Sequence, residues 1–256
     1  MPDAAVIIPA RYASTRFPGK PLALLGGRPL ILHVLDRARE ATRASRLLVA
    51  TDDERILRAV RADGGEAILT ASHHSTGTDR IAEAAASIPC DIIVNVQGDE
   101  PFIRGDVIDS VVRLLEEDPS AGMATLAVRI RSVEDLTDPN IVKVVWGSSG
   151  YALYFSRAPI PYHRDAWTRT GPMGSSGAPG DLHCFRHIGI YGYRRDVLFK
   201  LSQAMPEPVE EIEKLEQLRA LVLGVRIRVE ETTYDSIGVD TPEDLEKAEK
   251  WLNTYS

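Results

Sequence analysis

Residues 4–20 read AAVIIPARYASTRFPGK, and this stretch decides the fold. Its apolar start, residues 4–8, is typical of a short buried strand. The ten residues after Ala10 contain three cations, two hydroxyls and no acid: Arg11, Arg16, Lys20, Ser14 and Thr15. The whole chain has a formal net charge of -7, so this loop is a local concentration of positive charge. A basic loop after a strand predicts a polyphosphate-binding site in an α/β sheet.

The surroundings of this loop indicate how it would bind phosphate. An apolar helical face follows it, formed by Leu30, Ile31, Val34, Leu35 and Ala38. The loop is not a Walker motif, because Pro21 follows Gly19-Lys20 and no glycine stands five residues before Gly19. It also lacks a G-x-G-x-x-G dinucleotide fingerprint. We therefore expect cations and loop amides to hold the phosphates. The alternative is a solvated basic surface turn.

The composition of the chain argues against several classes of function. Its 256 residues, 44% of them hydrophobic, suffice for one large α/β domain or two closely joined lobes. The acidic balance argues against a nucleic-acid or anionic-membrane surface. No apolar run approaches the roughly 20 residues of a membrane helix. Met1 leads directly into the first strand without a signal segment. Cys90 and Cys184 form no C-x-x-C pair, so we expect reduced thiols in a cytoplasmic protein, with one disulfide as the less favoured alternative.

Strand and helix patterns alternate through the first half of the chain. After the first strand, apolar strands are predicted at 46–50, 66–69 and 91–96, each followed by an amphipathic helical pattern. Thr51 and Asp52 are predicted to cap the helix that follows the second strand. This βαβ alternation predicts a parallel sheet with right-handed crossovers.

The second half of the chain has a different pattern, and we expect the sheet to become mixed there. Strands are predicted at 123–130, 141–146, 151–155, 188–193 and 225–229. The first three are joined without long helices, and a Gly/Ser/Pro-rich loop occupies residues 165–182. One amphipathic helix is predicted through Ile212, Leu215, Leu218 and Val222. A closing helix is predicted over 241–252, and no linker divides the chain into independent domains.

Two carboxylates follow apolar strands and could share a metal ion. Asp99 lies after the strand at 91–96, where Gly98 keeps the approach open. Asp240 follows the strand-like residues 236–239, whereas Thr241 and the acids after it are explained by capping of the last helix. Carboxylates at strand ends suit Mg²⁺, a hard cation that prefers oxygen ligands. The alternative is that Asp99 or Glu100 merely caps a turn.

Two further polar segments carry weaker signals. Thr76-Gly77-Thr78-Asp79-Arg80 follows a strand, and its small hydroxyl residues and glycine suit recognition of a base edge or a ribose. Thr78 could instead cap the next helix. The side chains of His183, Cys184 and His187 are of types that bind zinc. No second ligand pair lies nearby, so a zinc site is not favoured.

Together these segments resemble the 3-deoxy-manno-octulosonate cytidylyltransferases, also called CMP-KDO synthetases, where KDO is 3-deoxy-D-manno-octulosonate. The matching motifs run in one order through nearly the whole chain: IPARYASTR at 8–16, PGKP at 18–21, VNVQGDEP at 94–101, YFSR at 154–157, RHIGIYGY at 186–193, LEQLR at 215–219 and GVDTPEDL at 238–245. The chain departs from the family at Thr76 and Asp79, where Ser and Glu are usual. Its loop at 165–182 is also longer than usual.

The resemblance implies an α/β fold of the nucleotide-diphospho-sugar transferase type, which is Rossmann-like. This fold has a mixed, mainly parallel central sheet and a smaller lobe for sugar binding and dimerisation. Within a single domain over 1–256, residues 1–120 would mainly bind nucleotide and 121–235 would mainly bind sugar and form the dimer. Residues 236–256 would supply a metal ligand and the closing helix. The resemblance further implies Mg²⁺, a cytoplasmic homodimer without nucleic-acid or membrane partners, and a place in lipopolysaccharide synthesis.

The residue patterns and the resemblance together assign roles to individual side chains. The nucleotide side would comprise Arg11, Ser14, Thr15, Arg16, Lys20, Gly77, Thr78, Arg80 and Gln97. By the resemblance alone, the sugar side would comprise Arg157, Arg164, His187, Tyr191, Glu216 and Gln217. Lys20, Asp99 and Asp240 would be catalytic, with Asp99 and Asp240 as the metal ligands. An arginine suits the sugar carboxylate, because its planar fork matches a carboxylate with two parallel hydrogen bonds.

The reaction implied is transfer of CMP from CTP to the anomeric hydroxyl of KDO, with release of pyrophosphate. One alternative is the same transfer to another acid sugar, such as 8-amino-KDO or a sialic acid. Another is a non-catalytic nucleotide-binding regulator with the same fold. Two carboxylates at strand ends argue against the regulator, because binding alone would not need both of them.

Overall fold

The computed structural model describes residues 2–13, 17–74, 76–165, 167, 183–235 and 238–255. Its strands are β1 (Ala4–Ala10), β2 (Leu24–Leu25), β3 (Arg28–Pro29), β4 (Arg46–Thr51), β5 (Glu66–Leu69), β6 (Ile92–Asn95), β7 (Met123–Arg129), β8 (Lys143–Trp146), β9 (Ala152–Ser156), β10 (Phe185–Arg194) and β11 (Ile227–Glu231). Its helices are α1 (Leu30–Ala38), α2 (Glu54–Ala62), α3 (Gly77–Ala86), α4 (Gly105–Glu117), α5 (Val133–Thr137), α6 (Arg195–Gln203), α7 (Pro208–Glu213), α8 (Gln217–Val222) and α9 (Pro242–Tyr255). A 3₁₀ helix spans Lys20–Leu22.

The chain divides into two compact units. The first unit comprises Met1–Glu117, Ile190–Ser202 and Ser236–Ser256. The second unit comprises Asp118–Gly189 and Gln203–Asp235. Strand β10 therefore has residues in both units.

The first unit contains the parallel part of the sheet. Strand β1 pairs in parallel with β4 on one side and β6 on the other, so that Ile7 is in register with both Leu48 and Asn95. Strand β5 continues the sheet in parallel beyond β4, and the end of β10 pairs antiparallel with β6. Strand β1 is buried along almost its whole length, as is usual for a central parallel strand. Helix α1 buries the predicted apolar face, including Ile31 and Leu35.

The second unit contains the mixed part of the sheet. Strands β7 and β11 pair in parallel, with Thr125 in register with Val229. Strand β8 pairs antiparallel with β9 and with the start of β10. The alternation of parallel strands and helices, followed by this antiparallel portion, confirms the α/β class with a mixed, mainly parallel sheet.

The predicted single helix through 212–222 is wrong, because the chain forms two short helices there. Pro208 begins α7, and Glu207 and Glu210 form a capping box at its start. The helix ends at Lys214, whose backbone is left-handed with φ 54°, and α8 begins afresh at Gln217. Since Ile212 is 82% exposed, the apolar residues of this segment do not form one buried stripe.

The predicted cap of α2 is shifted by one or two residues, and the alternative cap at Thr78 does not form. Helix α2 is capped by Asp53, whose side chain accepts a hydrogen bond from the Arg55 amide, and not by Thr51 and Asp52. Helix α3 is capped by Thr76, which accepts from the Asp79 amide, so Thr78 lies inside the first turn. In both cases the residue that caps is the last one with an extended backbone before the helix.

The closing helix is confirmed, and Thr241 and Asp244 exchange the predicted capping hydrogen bonds at its start. Residues 236 and 237 of the strand-like segment lie outside the described residues, as does nearly all of the Gly/Ser/Pro-rich loop at 165–182. In the part of the chain that is described, every helix is too short or too polar to cross a bilayer.

Candidate active site

The basic loop after β1 is folded back on itself at Gly19. The Gly19 amide donates a hydrogen bond to the Tyr12 carbonyl, with an N···O distance of 2.9 Å. Gly19 has φ 73°, and a Cβ atom there would lie 3.0 Å from the Tyr12 ring, so both the backbone conformation and the space require glycine. The 3₁₀ helix starts at the next residue, with Pro21 in its first turn. This arrangement determines where the Lys20 side chain begins.

A cation–π contact joins this loop to helix α2. The guanidinium of Arg55 lies 3.4 Å from the centroid of the Tyr12 ring. Asp53 accepts from both the backbone amide and the Nε of Arg55, at 2.8 and 3.0 Å. These hydrogen bonds orient Arg55 and hold the pKa of Asp53 below its usual value. Arg55 was not predicted as a site residue, because nothing in the local sequence shows which aromatic ring its side chain covers.

Lys20 lies between the two carboxylates that the sequence predicts as metal ligands. Its Nζ atom is 2.7 Å from Asp99 Oδ2 and 3.1 Å from Asp240 Oδ1. The side chain of Lys20 is 14% exposed, and those of Asp99 and Asp240 are 30% and 47% exposed. The three side chains therefore meet in a partly buried position that solvent can still reach.

Backbone contacts bring the loops of these carboxylates together. The Val239 amide donates to the Asp99 carbonyl at 2.8 Å, which joins the loop after β6 to the segment before α9. The Asp240 amide donates to the Asp244 carboxylate at 3.3 Å, so the helix cap also orients Asp240. A Cβ at Gly98 would lie 2.7 Å from the Pro9 carbonyl oxygen. Only glycine therefore allows this close approach to the end of β1.

The charge and ligand types of this cluster fit a divalent cation. In the part of the chain that the structure describes, one oxygen of each carboxylate contacts the same ammonium. Mg²⁺ is commonly held by one or two carboxylates, with water and substrate phosphates completing its shell. Among the described residues, no group of three or more His, Cys, Asp or Glu side chains could hold a metal. A metal here would thus take its remaining ligands from water or phosphate.

The other predicted nucleotide-side residues are only partly described. Arg11 is exposed, and Ser14, Thr15 and Arg16 lie outside the described residues. Gly77 lies in the first turn of α3, where a Cβ would contact the Pro9 ring at 3.5 Å. Gln97, on the loop after β6, is half-buried. The roles of these residues, and that of the buried Thr78, stay predictions.

Arg80 is enclosed within the first unit. Its guanidinium donates to Thr70 Oγ1 at 2.5 Å and to Asp52 Oδ2 at 2.7 Å, and its side chain is 3% exposed. Asp52, predicted from the sequence to cap a helix, is instead the partner of Arg80. These contacts join the end of β4 to α3. A direct contact of Arg80 with nucleotide stays a prediction.

In the second unit, Arg157 and His187 have internal partners. Arg157 Nε donates to the Glu213 carbonyl at 2.7 Å, and its Nη1 donates to the Pro139 carbonyl at 2.8 Å. The His187 ring shares a hydrogen bond with Thr125 Oγ1, at 2.9 Å from Nε2. Burial lowers the pKa of His187 well below its usual value, so the ring is neutral at pH 7 and can donate or accept without charge.

The remaining sugar-side residues are distributed over both units. Arg164 is exposed, Glu216 directly precedes α8 and Gln217 begins it, all in the second unit. Tyr191 belongs to the first unit, where it is in register with Asn95 of β6. The roles of these residues toward a sugar stay predictions.

The histidines and cysteine considered for zinc do not converge. Cys184 is buried in an apolar cluster with Ile130, Leu136 and Trp167, and burial raises the pKa of its thiol. His187 is engaged by Thr125, while His183 is exposed.

Comparison with known sequences relates the chain to enzymes that transfer cytidylyl groups. A family model described as cytidylyltransferase matches residues 5–227. The 3-deoxy-manno-octulosonate cytidylyltransferase of Geobacter sulfurreducens is 54% identical, and the match covers 96% of this chain and 97% of the relative. The protein of the same name from Thermodesulfovibrio yellowstonii is 48% identical, with 98% of each chain covered.

Solved structures agree with these sequence matches. A CMP:2-keto-3-deoxy-manno-octonic acid synthetase complexed with CTP is 41% identical, with a TM-score of 0.90 over 99% of this chain and all of that one. A 4-diphosphocytidyl-2C-methyl-D-erythritol synthase from Anaerococcus prevotii is only 12% identical. Its TM-score is 0.64, and the match covers 98% of this chain and 99% of that one. At this level of identity the match shows a common fold and nothing more. The predicted nucleotidyltransferase fold of Rossmann-like type is thereby confirmed. With about half of its residues identical to relatives that match along nearly their full length, this chain belongs to the 3-deoxy-manno-octulosonate cytidylyltransferase family.

Proposed function

We propose that this chain transfers the CMP group of CTP to the anomeric hydroxyl of KDO and releases pyrophosphate. The observation that carries the proposal is the cluster of Lys20, Asp99 and Asp240, which joins a basic phosphate loop to two carboxylates in a chain of this family. In the reaction, the anomeric oxygen forms a bond to the α-phosphorus of CTP. The bond from that phosphorus to the pyrophosphate oxygen breaks, and the hydroxyl proton is lost.

The basic loop would bind the triphosphate. Charge is spread over the phosphate oxygens during such a transfer, so fixed cations stabilise the transition state. Lys20 is held at the start of a 3₁₀ helix, and Arg11 lies on the same loop. The Arg55–Tyr12 contact would keep this loop in place, which reduces the ordering needed when nucleotide binds.

Asp99 and Asp240 would hold Mg²⁺. The convergence of the two carboxylates supports this proposal, and so does the ammonium of Lys20, which already occupies a cation position between them. When bound, Mg²⁺ lowers the pKa of a hydroxyl nucleophile and neutralises phosphate charge. The backbone contact between Val239 and Asp99 would keep both carboxylates in place for this task.

The sugar would be recognised by polar residues that the resemblance assigns to it. Arg164 is exposed and could bind the KDO carboxylate through its planar fork. The neutral ring of His187 suits a sugar hydroxyl, since it can donate or accept one hydrogen bond without adding charge. Tyr191, Glu216 and Gln217 would contribute further contacts. Arg157 is already bonded to two carbonyls, so we propose that it positions the segment before α8.

We also propose that the protein is a cytoplasmic homodimer in lipopolysaccharide synthesis. The second unit exposes several large apolar side chains, among them Leu153, Met205 and Ile212, which supports association through that unit. Cys90 and Cys184 are buried thiols, which supports a reducing compartment. Sedimentation velocity would test the dimer, and a monomer at micromolar concentration would contradict it.

A pyrophosphate-release assay tests the central proposal. The purified chain is incubated with CTP and Mg²⁺, and with KDO, 8-amino-KDO or a sialic acid as acceptor. We expect rapid pyrophosphate release with KDO and much slower release with the other sugars. Preference for another sugar would reassign the acceptor. Binding of CTP without pyrophosphate release in the presence of any of these sugars would show a regulator and contradict the proposed enzyme.

A further inference from the structure

The ammonium of Lys20 and a metal ion would use the same oxygen atoms. Lys20 Nζ lies within hydrogen-bonding distance of one oxygen of Asp99 and one oxygen of Asp240. An ammonium at that position takes up the lone pairs that face it and repels a second cation nearby. Lys20 is also the cation of this cluster that belongs to the phosphate loop. The same side chain thus has two competing anionic partners, the carboxylate pair and a phosphate group.

We propose that Lys20 and a divalent metal ion are alternative partners of the Asp99–Asp240 pair, and that nucleotide triphosphate drives the exchange. Phosphate binding draws the Lys20 ammonium off the carboxylates and thereby opens the pair to the metal. The inference rests on the proposed function, because that function makes a triphosphate the ligand of this loop.

The local structure allows this exchange without rearrangement of the backbone. The main chain at Lys20 is held on both sides, since the Leu22 amide donates to the Gly19 carbonyl and the Ala23 amide donates to the Lys20 carbonyl. The carboxylates are held by their own backbone contacts, notably between Val239 and Asp99. Only the four-carbon stem of Lys20, which is flexible, has to rotate.

The exchange makes the affinities for metal and nucleotide interdependent. If Lys20 must leave before the metal binds, nucleotide raises metal affinity, and metal raises nucleotide affinity by the same factor. Coupling of this kind is typically about 5-fold to 150-fold. Arg11 lies on the same loop and is exposed, so its charge should have little influence on the carboxylate pair. Arg11 therefore provides a matched control.

The test measures metal binding without nucleotide. Mn²⁺ serves as the probe, because it prefers the same oxygen ligands as Mg²⁺ and its free form is quantified by electron paramagnetic resonance. We expect Lys20→Met to bind Mn²⁺ at least about tenfold more tightly than the parent chain. Arg11→Met removes the same charge and should bind Mn²⁺ like the parent. The double variant Lys20→Met/Asp99→Asn should lose the gain in Mn²⁺ affinity. That loss would show that the added Mn²⁺ binding occurs at the Asp99–Asp240 pair.

Equal Mn²⁺ affinity of Lys20→Met and the parent would overturn the proposal, and so would an equal gain in Arg11→Met. A second measurement uses the unaltered chain, in case Lys20→Met folds poorly. The rate of Lys20 acylation, followed by mass spectrometry, should rise when Mn²⁺ saturates the protein, whereas that of the exposed Lys247 should not change. An unchanged Lys20 rate at saturation would also overturn the proposal.

These outcomes are separate from the test of the proposed function. Rapid pyrophosphate release with equal Mn²⁺ affinities would leave the enzyme assignment standing and remove the exchange. A gain in Mn²⁺ affinity, with no pyrophosphate released from CTP in the presence of any of the sugars, would leave the exchange standing and remove the enzyme assignment.

Discussion

The ion pair between Glu210 and Arg219 allows a quantitative prediction about the second unit. Arg219 Nε donates to Glu210 Oε2 at 2.7 Å, and its Nη2 donates to the other carboxylate oxygen. The side chains of Arg219 and Glu210 are only 10% and 9% exposed, so water screens the pair little. Glu210→Gln would leave the guanidinium buried without its counter-ion. Removing one partner of such a buried pair costs about 3–5 kcal/mol.

Urea denaturation followed by circular dichroism measures this cost. With a slope of about 3 kcal/mol per molar urea, this cost should lower the unfolding midpoint of Glu210→Gln by roughly 1–1.7 M. Arg219→Met should have a similar effect, and the double variant should cost clearly less than the sum of the two. The control is Glu117→Gln, which breaks an exposed pair with Arg113 and should shift the midpoint by less than about 0.2 M. Single variants that shift the midpoint no more than the control, or strictly additive effects, would refute the reasoning.

The same pair predicts a pH dependence with a definite sign. Burial alone would raise the pKa of Glu210, but the hydrogen bonds from Arg219 outweigh burial and lower it. A carboxyl with a lowered pKa in the folded state contributes its full stability above its unfolded pKa of about 4.3. This contribution is lost as the pH falls toward the folded pKa. The stability difference between parent and Glu210→Gln should therefore be constant from pH 6 to 8 and shrink below about pH 4.3.

Four further substitutions test the site. Asp99→Asn should lower kcat by a factor of at least about 100 while circular dichroism stays unchanged, and near-normal turnover in saturating Mg²⁺ would contradict the metal assignment. Lys20→Ala should weaken CTP binding by about tenfold or more in calorimetry and change KDO binding much less, whereas unchanged CTP affinity would return the loop to a solvated turn. Arg164→Ala should raise the KM for KDO steeply and leave CTP binding intact, and an unchanged KM would place the sugar carboxylate elsewhere. Arg55→Ala should raise the KM for CTP a few-fold, equivalent to about 0.5–1 kcal/mol, with little change in kcat and partial rescue by Arg55→Lys.

The amino-acid sequence by itself determined the features that depend on contiguous residues. The apolar run of β1, the basic loop after it and the apolar face of α1 are adjacent in the chain, so their patterns are sufficient to predict them. The acidic helix start after Thr241 was predictable for the same reason, because a cap depends on neighbours only three residues apart. The family motifs added the nucleotidyltransferase fold, since they recur in one order along the chain.

Only the tertiary structure decided which distant side chains meet. Lys20 contacts Asp99 and Asp240 across separations of 79 and 220 residues, and no local pattern encodes those pairings. Arg80 pairs with Asp52, a residue that local reasoning assigned to a cap, because folding brings the end of β4 beside α3. The end of α7 at Lys214 could not be predicted from the sequence pattern either. The helical spacing of apolar residues favours one continuous helix, but the capping box of α7 and the buried pair of Glu210 with Arg219 outweigh that preference. Local periodicity sets the preferences of each segment, whereas burial and charge pairing between segments select among them.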